Sequence, residues 1–270
     1  NGTRNIIVRN LIYQYWIGEI EPCAVHGTNA MAAYADRIGA EYIFEHNPKF
    51  ISEMVTKWAS HYSALRPVFD ESFHEYDNVL FADCDVFPVE GLTTNIFDEP
   101  CADIGICEEI GEPAFRKNDP NFDEEGWARE VVRMYGGDVK RTKENLPCIY
   151  NSGVVRYTKA GMIKAKENFN PMEAHQKHFS RFGKPLYCRD QSYMNAHIIA
   201  NSVDWTIMDT KWNTRLHYQP NTSNQLVRPI VDKRDKNTSF VHVQLSGSGN
   251  WNAGKLHEAV NKRSYDWTWR

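Results

Sequence analysis

The run Val79-Leu80-Phe81-Ala82, ending in Asp83-Cys84-Asp85, constrains this chain more than any other feature. Four consecutive apolar residues read as a buried strand. Alternate side chains on an extended backbone share a face, so the Asp83 and Asp85 carboxylates converge on one point. Two oxygen donors aimed together suit a hard divalent cation, Mn²⁺ or Mg²⁺. A strand that delivers them at its carboxyl end matches the place where open α/β sheets bind ligands.

The elements around it alternate. Ile6–Trp16 is strand-rich and a loop with Pro22 follows. Asn29–Ile38 has helical composition and meets Gly39, a good stop. Glu41–Glu45 reads as a strand, Ile51–Phe69 as a long helix with Pro67 near its end, and Ala102–Cys107 as a short strand. The polar, charged stretch Pro113–Asn145 reads as a mobile excursion over the sheet. Strands follow at Ile149–Tyr157, Val203–Met208 and Ser239–Leu245, with helices at Ala160–Phe182 and Asp190–Ala200. Strands alternating with helices predict an α/β fold with a mainly parallel, Rossmann-like central sheet flanked by helices. The 270 residues suit one domain, 1–270, with a regular first part to about 110 and a more irregular second part from about 111.

Bulk properties remove several classes. With 41% hydrophobic and 24% charged residues the composition is that of an ordinary globular protein. The net charge of −4 and the lack of a basic block argue against nucleic acid. No apolar run approaches a membrane span. The six cysteines lack C-x-x-C spacing, which argues against zinc and is read as free thiols, with Cys84 a small buried hydrophobe. A cytoplasmic setting is favoured. The chain opens on Asn, so a removed leader stays open, and sequons at Asn1, Asn221 and Asn237 would matter only in a secretory lumen.

Three further motifs carry chemistry. In Phe240-Val-His-Val-Gln-Leu245 the apolar set Val241, Val243 and Leu245 takes one face and turns His242 to the other. The turn Ser246-Gly247-Ser248-Gly249 can approach a phosphate closely, and Lys255 supplies a mobile positive charge. Asn151-Ser152-Gly153-Val154 opens a strand with small polar residues. Asp190-Gln191-Ser-Tyr-Met-Asn195 opens a helix, where Asp190 is an N-cap candidate. The plainest readings of these are a structural histidine, a turn and a cap.

The ordered set, D-x-D after an apolar strand, N-S-G-V, D-Q-x-x-x-N, then His with glycines and Lys, resembles retaining GT-A glycosyltransferases of the family 8 type. Glycogenin and the bacterial lipopolysaccharide galactosyltransferases belong to that group. The resemblance spans Ile6 to about Lys255. It implies a transferase that moves a sugar from a nucleoside-diphosphate sugar, a UDP-sugar foremost, to a hydroxyl of a glycan, lipid or protein. It implies Mn²⁺, or Mg²⁺, on Asp83, Asp85 and His242. Lys255, with Gly247 in the preceding turn, would face the donor diphosphate. Arg66 would touch the donor, Asn151 would face the sugar, and Tyr13 or Tyr15 would stack on the base. Asp190 and Gln191 would lie beside the transferred sugar, and Glu109, with Glu108 next, would bind its hydroxyls. The alternatives are an inverting GT-A transferase, a haloacid-dehalogenase-type phosphatase using the same D-x-D, a sugar nucleotidylyltransferase, and a lectin-like module that kept the fold and lost turnover.

Overall fold

Strand β1 (Asn10–Trp16) lies inside a six-stranded sheet in a computed structural model that describes residues 8–50, 59–218 and 230–244. Helix α1 (Pro22–Ile38) returns the chain to β2 (Glu41–His46), which pairs parallel to β1. Short 3-10 turns and α2 (Arg66–Phe69) lead to β3 (Asn78–Ala82), parallel to β1 on its other side. After β4 (Val86–Pro88) comes β5 (Ile104–Glu108), then α3 (Glu112–Arg116) and α4 (Glu124–Tyr135). Strand β6 (Tyr150–Thr158) runs antiparallel between β3 and β5. Helices α5 (Lys159–Asn168), α6 (Met172–Phe179) and α7 (Asp190–Ile199) precede β7 (Trp205–Met208), which is parallel to β5. The order is β2-β1-β3-β6-β5-β7, with only β6 reversed.

That reversal positions the site. The carboxyl ends of β1, β2, β3, β5 and β7 share one edge, where parallel strands present their ligand-binding loops. Because β6 runs the other way, its first residues, Tyr150 to Gly153, fall on the same edge beside the end of β3.

The period-two pattern explains the two cores. Leu11, Tyr13, Val79 and Phe81 pack on one face with Ile106, Tyr157, Leu65, Met162 and Tyr193. Ile12, Leu80 and Ala82 pack on the other with Met31 and Tyr34 of α1 and with Leu216, Phe240, Val241 and Val243. Strand β3 is thus covered on both faces, which is why its sequence is apolar without alternation.

The structure departs from the sequence expectations in four places. Helix α1 starts at Pro22, which occupies its first turn, where a missing N–H costs nothing. Gly39 does end it, at φ 72°. In the described part of the expected 51–69 helix, Ala59–Leu65 is 3-10 and Pro67 sits in the first turn of α2; residues 51–58 lie outside the described residues. The Pro113–Asn145 excursion is instead built on α3 and α4, and α4 buries Trp127, Ala128 and Val131 against Phe179, Tyr187 and Ala196. A second sheet, in the order β4-β10-β8-β9, adds β8 (Thr214–Tyr218), β9 (Ile230–Asp232) and β10 (Phe240–Gln244). Its short strands β4, β8 and β9 were not legible as strands. No described helix is long and apolar enough to cross a membrane.

Candidate metal and donor site

Asp83 and Asp85 follow β3 directly, and the loop that carries them is held from four elements. The Asp83 N–H donates to the Gly153 carbonyl of β6 (2.8 Å), and the Val243 N–H of β10 donates to the Asp85 carbonyl (2.9 Å). From β1, Gln14 Nε2 donates to the Asp83 carbonyl (3.0 Å), and Tyr15 accepts the Cys84 thiol on its carbonyl (3.1 Å). Helix α1 closes over the loop at Gly27, where a Cβ would lie 1.8 Å from the Cys84 carbonyl oxygen. Cys84 is buried, as expected of it, and hydrogen-bonded.

His242 completes the cluster from β10. Its Nε2 lies 3.2 Å from Asp85 Oδ1 and 4.0 Å from Asp83 Oδ2, and one ligand atom from each residue falls within 4.8 Å of the others. The alternation of β10 therefore turns His242 as expected, although Phe240 on the same face is itself buried, against Trp212 and Tyr34. Asp85 Oδ1 is buried without a hydrogen-bond donor. Desolvation, and then the charges of Asp85 and Asp190, hold the Asp83 carboxyl well above the usual carboxylate range. Converging carboxylates, an undonated buried oxygen and one imidazole nitrogen form an O,O,N donor set that fits Mn²⁺ or Mg²⁺. Gly153 keeps the space clear: a Cβ there would come within 2.4 Å of His242 Cε1 and 2.9 Å of Asp83 Oδ2.

Behind His242 runs a line of amides. Its Nδ1 meets Asn213 Oδ1 at 2.9 Å, Asn213 Nδ2 donates to Asn151 Oδ1 at 2.9 Å, and Asn151 Nδ2 donates to Glu109 Oε1 at 2.6 Å. Glu109 is 3% exposed, and its other oxygen accepts from Arg116 Nη2 at 3.1 Å. Arg215 Nη1 lies 3.4 Å from Glu109 Oε1 and donates to Glu112 Oε2 at 2.9 Å. Burial alone would raise Glu112, but Arg215 and Arg116 overcome it and hold its carboxyl down at about 2. Both oxygens of Glu109, the residue expected to bind sugar hydroxyls, are engaged inside the protein. Glu108, half-buried, and Glu109 both line a cavity of 490 Å³ together with Asn213, Arg215, Lys233 and Asp235.

Asp190 stands near the metal candidates. Its Oδ2 accepts from Ser152 Oγ at 2.8 Å, and its charge bears on Asp83. It is not the N-cap of α7, since Arg189 holds that position and no side chain caps the helix. Gln191 follows it, half-buried, with its Nε2 enclosed and without an acceptor. Asn195, one turn on, pairs with both the N–H and the carbonyl of Tyr150 (2.9 and 2.8 Å) and ties α7 to the start of β6.

Of the expected base-stacking pair, Tyr13 is corrected. It is fully buried, with its hydroxyl on Glu45 Oε2 (2.9 Å) and its ring against the edge of Phe73, so no face is open to a base. Tyr15 stays half-buried, stacked on Phe81. Arg66 is held by Glu45 and by Asp70 (2.9 Å), two carboxylates that occupy much of its guanidinium fork. Gly247 and Lys255 lie outside the described residues. Sequence reasoning missed Gln14, Arg116, Asn213 and Arg215. Gln14 alone carried a local signal, a polar side chain between Tyr13 and Tyr15; Arg116, Asn213 and Arg215 each have a polar neighbour and carried none.

No protein-family model and no curated protein matches the chain. Solved structures do. A glycosyltransferase involved in glycosylation of the major capsid of PBCV-1 superposes with a TM-score of 0.51 at 12% identity, covering 93% of this chain and 98% of that one. The galactosyltransferase LgtC, solved with donor and acceptor sugar analogues, gives 0.49 at 13% identity over 93% and 95%. Mouse xyloside xylosyltransferase 1 gives 0.38 at 14% identity over 77% and 88%. The strand order, the reversed β6 and the first of these likenesses agree, and the chain has the GT-A fold of glycosyltransferases.

Proposed function

We propose that this protein is a metal-dependent glycosyltransferase that moves a sugar from a nucleoside-diphosphate sugar, a UDP-sugar foremost, to a hydroxyl of a glycan, lipid or protein. One observation carries the reading: Asp83, Asp85 and His242, from two different sheets, bring their ligand atoms within 4.8 Å at the carboxyl edge of a GT-A sheet. Mn²⁺, or Mg²⁺, held there would neutralise charge on the departing diphosphate as a Lewis acid. The chain up to about residue 110 would hold the nucleotide, with Tyr15 against the base and Arg66 near the donor. The remainder would hold the acceptor, with Lys255 and the Gly247 turn on the diphosphate and Asn151 at the sugar side.

Retention of configuration is the outcome we favour, and the position of Asp190 beside Ser152 near the metal candidates supports it. The bond from the anomeric carbon to the diphosphate breaks, the acceptor oxygen bonds to that carbon on the same face, and the acceptor proton passes to the departing phosphate oxygen. Gln191 Nε2, enclosed and without an acceptor, is suited to donate to an oxygen of the sugar or leaving group, and Asp190 to sit beside the anomeric carbon. The phosphatase alternative is not favoured, because a histidine from β10 completes the D-x-D cluster on a sheet shared with glycosyltransferases.

A donor screen with Mn²⁺, reading nucleotide release from UDP-, GDP- and CMP-sugars, tests the reading. Release from a UDP-sugar that disappears in Asp85→Ala is expected. Undiminished turnover by Asp85→Ala in excess EDTA overturns metal dependence, and tight binding of a nucleotide sugar with no turnover favours the lectin-like module. From an α-linked donor the first-formed product should be α-linked by NMR; a β-linkage would select the inverting alternative.

A further inference from the structure

We infer that Asn151 and Asn213 are positioning residues that fix the tautomer of His242, so that its Nε2 lone pair faces Asp83 and Asp85. The inference deepens the metal-site reading and rests on it. It starts from a group whose role cannot change. The backbone N–H of Gly153 can only donate, and it lies 2.8 Å from the side-chain oxygen position of Asn151. That atom is therefore Oδ1, which turns Nδ2 to Glu109 at 2.6 Å. With Asn151 so fixed, the Asn213 atom 2.9 Å from its Oδ1 must be the donor Nδ2. Asn213 then offers His242 only an acceptor, Oδ1, at 2.9 Å from Nδ1. The proton of the neutral ring sits on Nδ1, and Nε2 is left as an electron-pair donor.

The far end of this line fits a cation. Nε2 lies 3.2 Å from Asp85 Oδ1, itself buried and without a donor. Two electron-pair donors at that distance repel unless a positive charge lies between them. A metal-bound imidazole is oriented by the bond its other nitrogen makes. Here that bond is held rigidly. Asn213 ends a 3-10 turn, Thr210–Asn213, anchored by the fully buried Trp212 and by the Ser239 N–H on the Lys211 carbonyl (2.9 Å). Asn151 is pinned by Glu109 and Gly153 together. His242, Asn213 and Asn151 are each at most 5% exposed, so these bonds are largely shielded from water.

Two measurements test the inference. In the metal-free protein, with the pH raised about two units above the ordinary imidazole value, ring ¹⁵N shifts of His242 should report the Nδ1–H tautomer. They should move toward the Nε2–H form in Asn213→Ala. A wild-type ring carrying its proton on Nε2, or a ring unchanged by Asn213→Ala, overturns the inference. Mn²⁺ affinity, read from the free-ion EPR signal without any sugar donor, should fall about 10- to 100-fold in Asn213→Ala. Asn213→Asp still accepts from Nδ1–H and should bind Mn²⁺ at least about tenfold more tightly than Asn213→Ala. Because a new carboxylate also attracts the ion directly, the ring of Asn213→Asp is read too: it should again show the Nδ1–H tautomer, and an Nε2–H ring in that variant also overturns the inference. A wild-type chain that shows the Nδ1–H ring yet ignores Mn²⁺ would remove the metal reading and leave the tautomer assignment standing.

Discussion

At the scale of single residues, the site depends on one missing carbon. Gly153 does not have a positive φ, so its backbone would accept any residue. What excludes a side chain is space, since its Cβ would meet His242 Cε1 at 2.4 Å and Asn151 Oδ1 at 2.8 Å. Gly153→Ala should therefore push the imidazole from Asp85 and weaken Mn²⁺ binding at least about tenfold, ~1.4 kcal/mol, with the far-UV spectrum unchanged. Unaltered Mn²⁺ titration would mean that the imidazole has room to move. His242 was legible because its strand keeps a period of two. Asp83 and Asp85 were legible as a pair, but they converge through a turn after β3, closed by the Val86 N–H on the Asp83 carbonyl (3.0 Å), and not through an extended backbone. The sequence did not reveal Asn213 or the burial of Glu109. Those depend on which loops the reversed β6 brings together, and no local pattern encodes that. Tyr13 entered through the resemblance alone, which points to the end of the first strand but not to which of its rings is buried in the core.

At the scale of elements, α4 shows why composition misleads. Its segment is polar and charged, yet one stripe, Trp127, Ala128 and Val131, packs into a cluster with Phe179, Tyr187 and Ala196. The charges pair around it: Arg141 meets Glu125 (2.7 Å) and Arg116 meets Glu124 (2.9 Å). Asp123 caps the helix, accepting from the Gly126 N–H at 3.0 Å. Trp127 stacks on Tyr187 with ring centroids 5.7 Å apart. Trp127→Ala should cost about 3–5 kcal/mol, as aromatic deletions from a core do, measured by urea unfolding. In hydrogen exchange the amides of α4 should be protected with and without a nucleotide sugar, because its apolar stripe is buried in both states. Fast exchange without donor, slowed when donor and Mn²⁺ are added, would restore the mobile excursion read from composition. The same scale explains the unread second sheet. Strands β4 and β9 have three residues each, too few for a period of two to register.

Across the whole molecule, two buried histidines tie stability to pH. His175 is fully buried between the Tyr135 hydroxyl (2.8 Å from Nδ1) and the Tyr187 carbonyl (3.1 Å from Nε2). His197 is fully buried too, stacked on Phe169 with ring centroids 3.9 Å apart and bonded to Ser202 Oγ at 2.9 Å. Burial drives both imidazoles down to about 3, from the ordinary value of 6.5. The unfolded chain therefore binds protons that the folded chain refuses. Stability from these groups is fully present above the unfolded value, is lost as pH falls below it, and goes on falling toward the folded value. Each histidine removes up to about 1.4 kcal/mol per pH unit in that window. The Asp83 carboxyl is shifted upward and acts with the opposite sign, so a wild-type curve alone mixes the two. Comparison with His197→Phe separates them, because Asp83 is common to both proteins and cancels. Urea unfolding at pH values from about 6.5 down to about 5 should show the variant gaining on the wild type by about 1 kcal/mol or slightly more per unit. Parallel curves would mean that His197 takes up its proton within the folded protein, and that the aromatic cluster of Phe169, Tyr193 and Tyr135 around it opens enough to admit water.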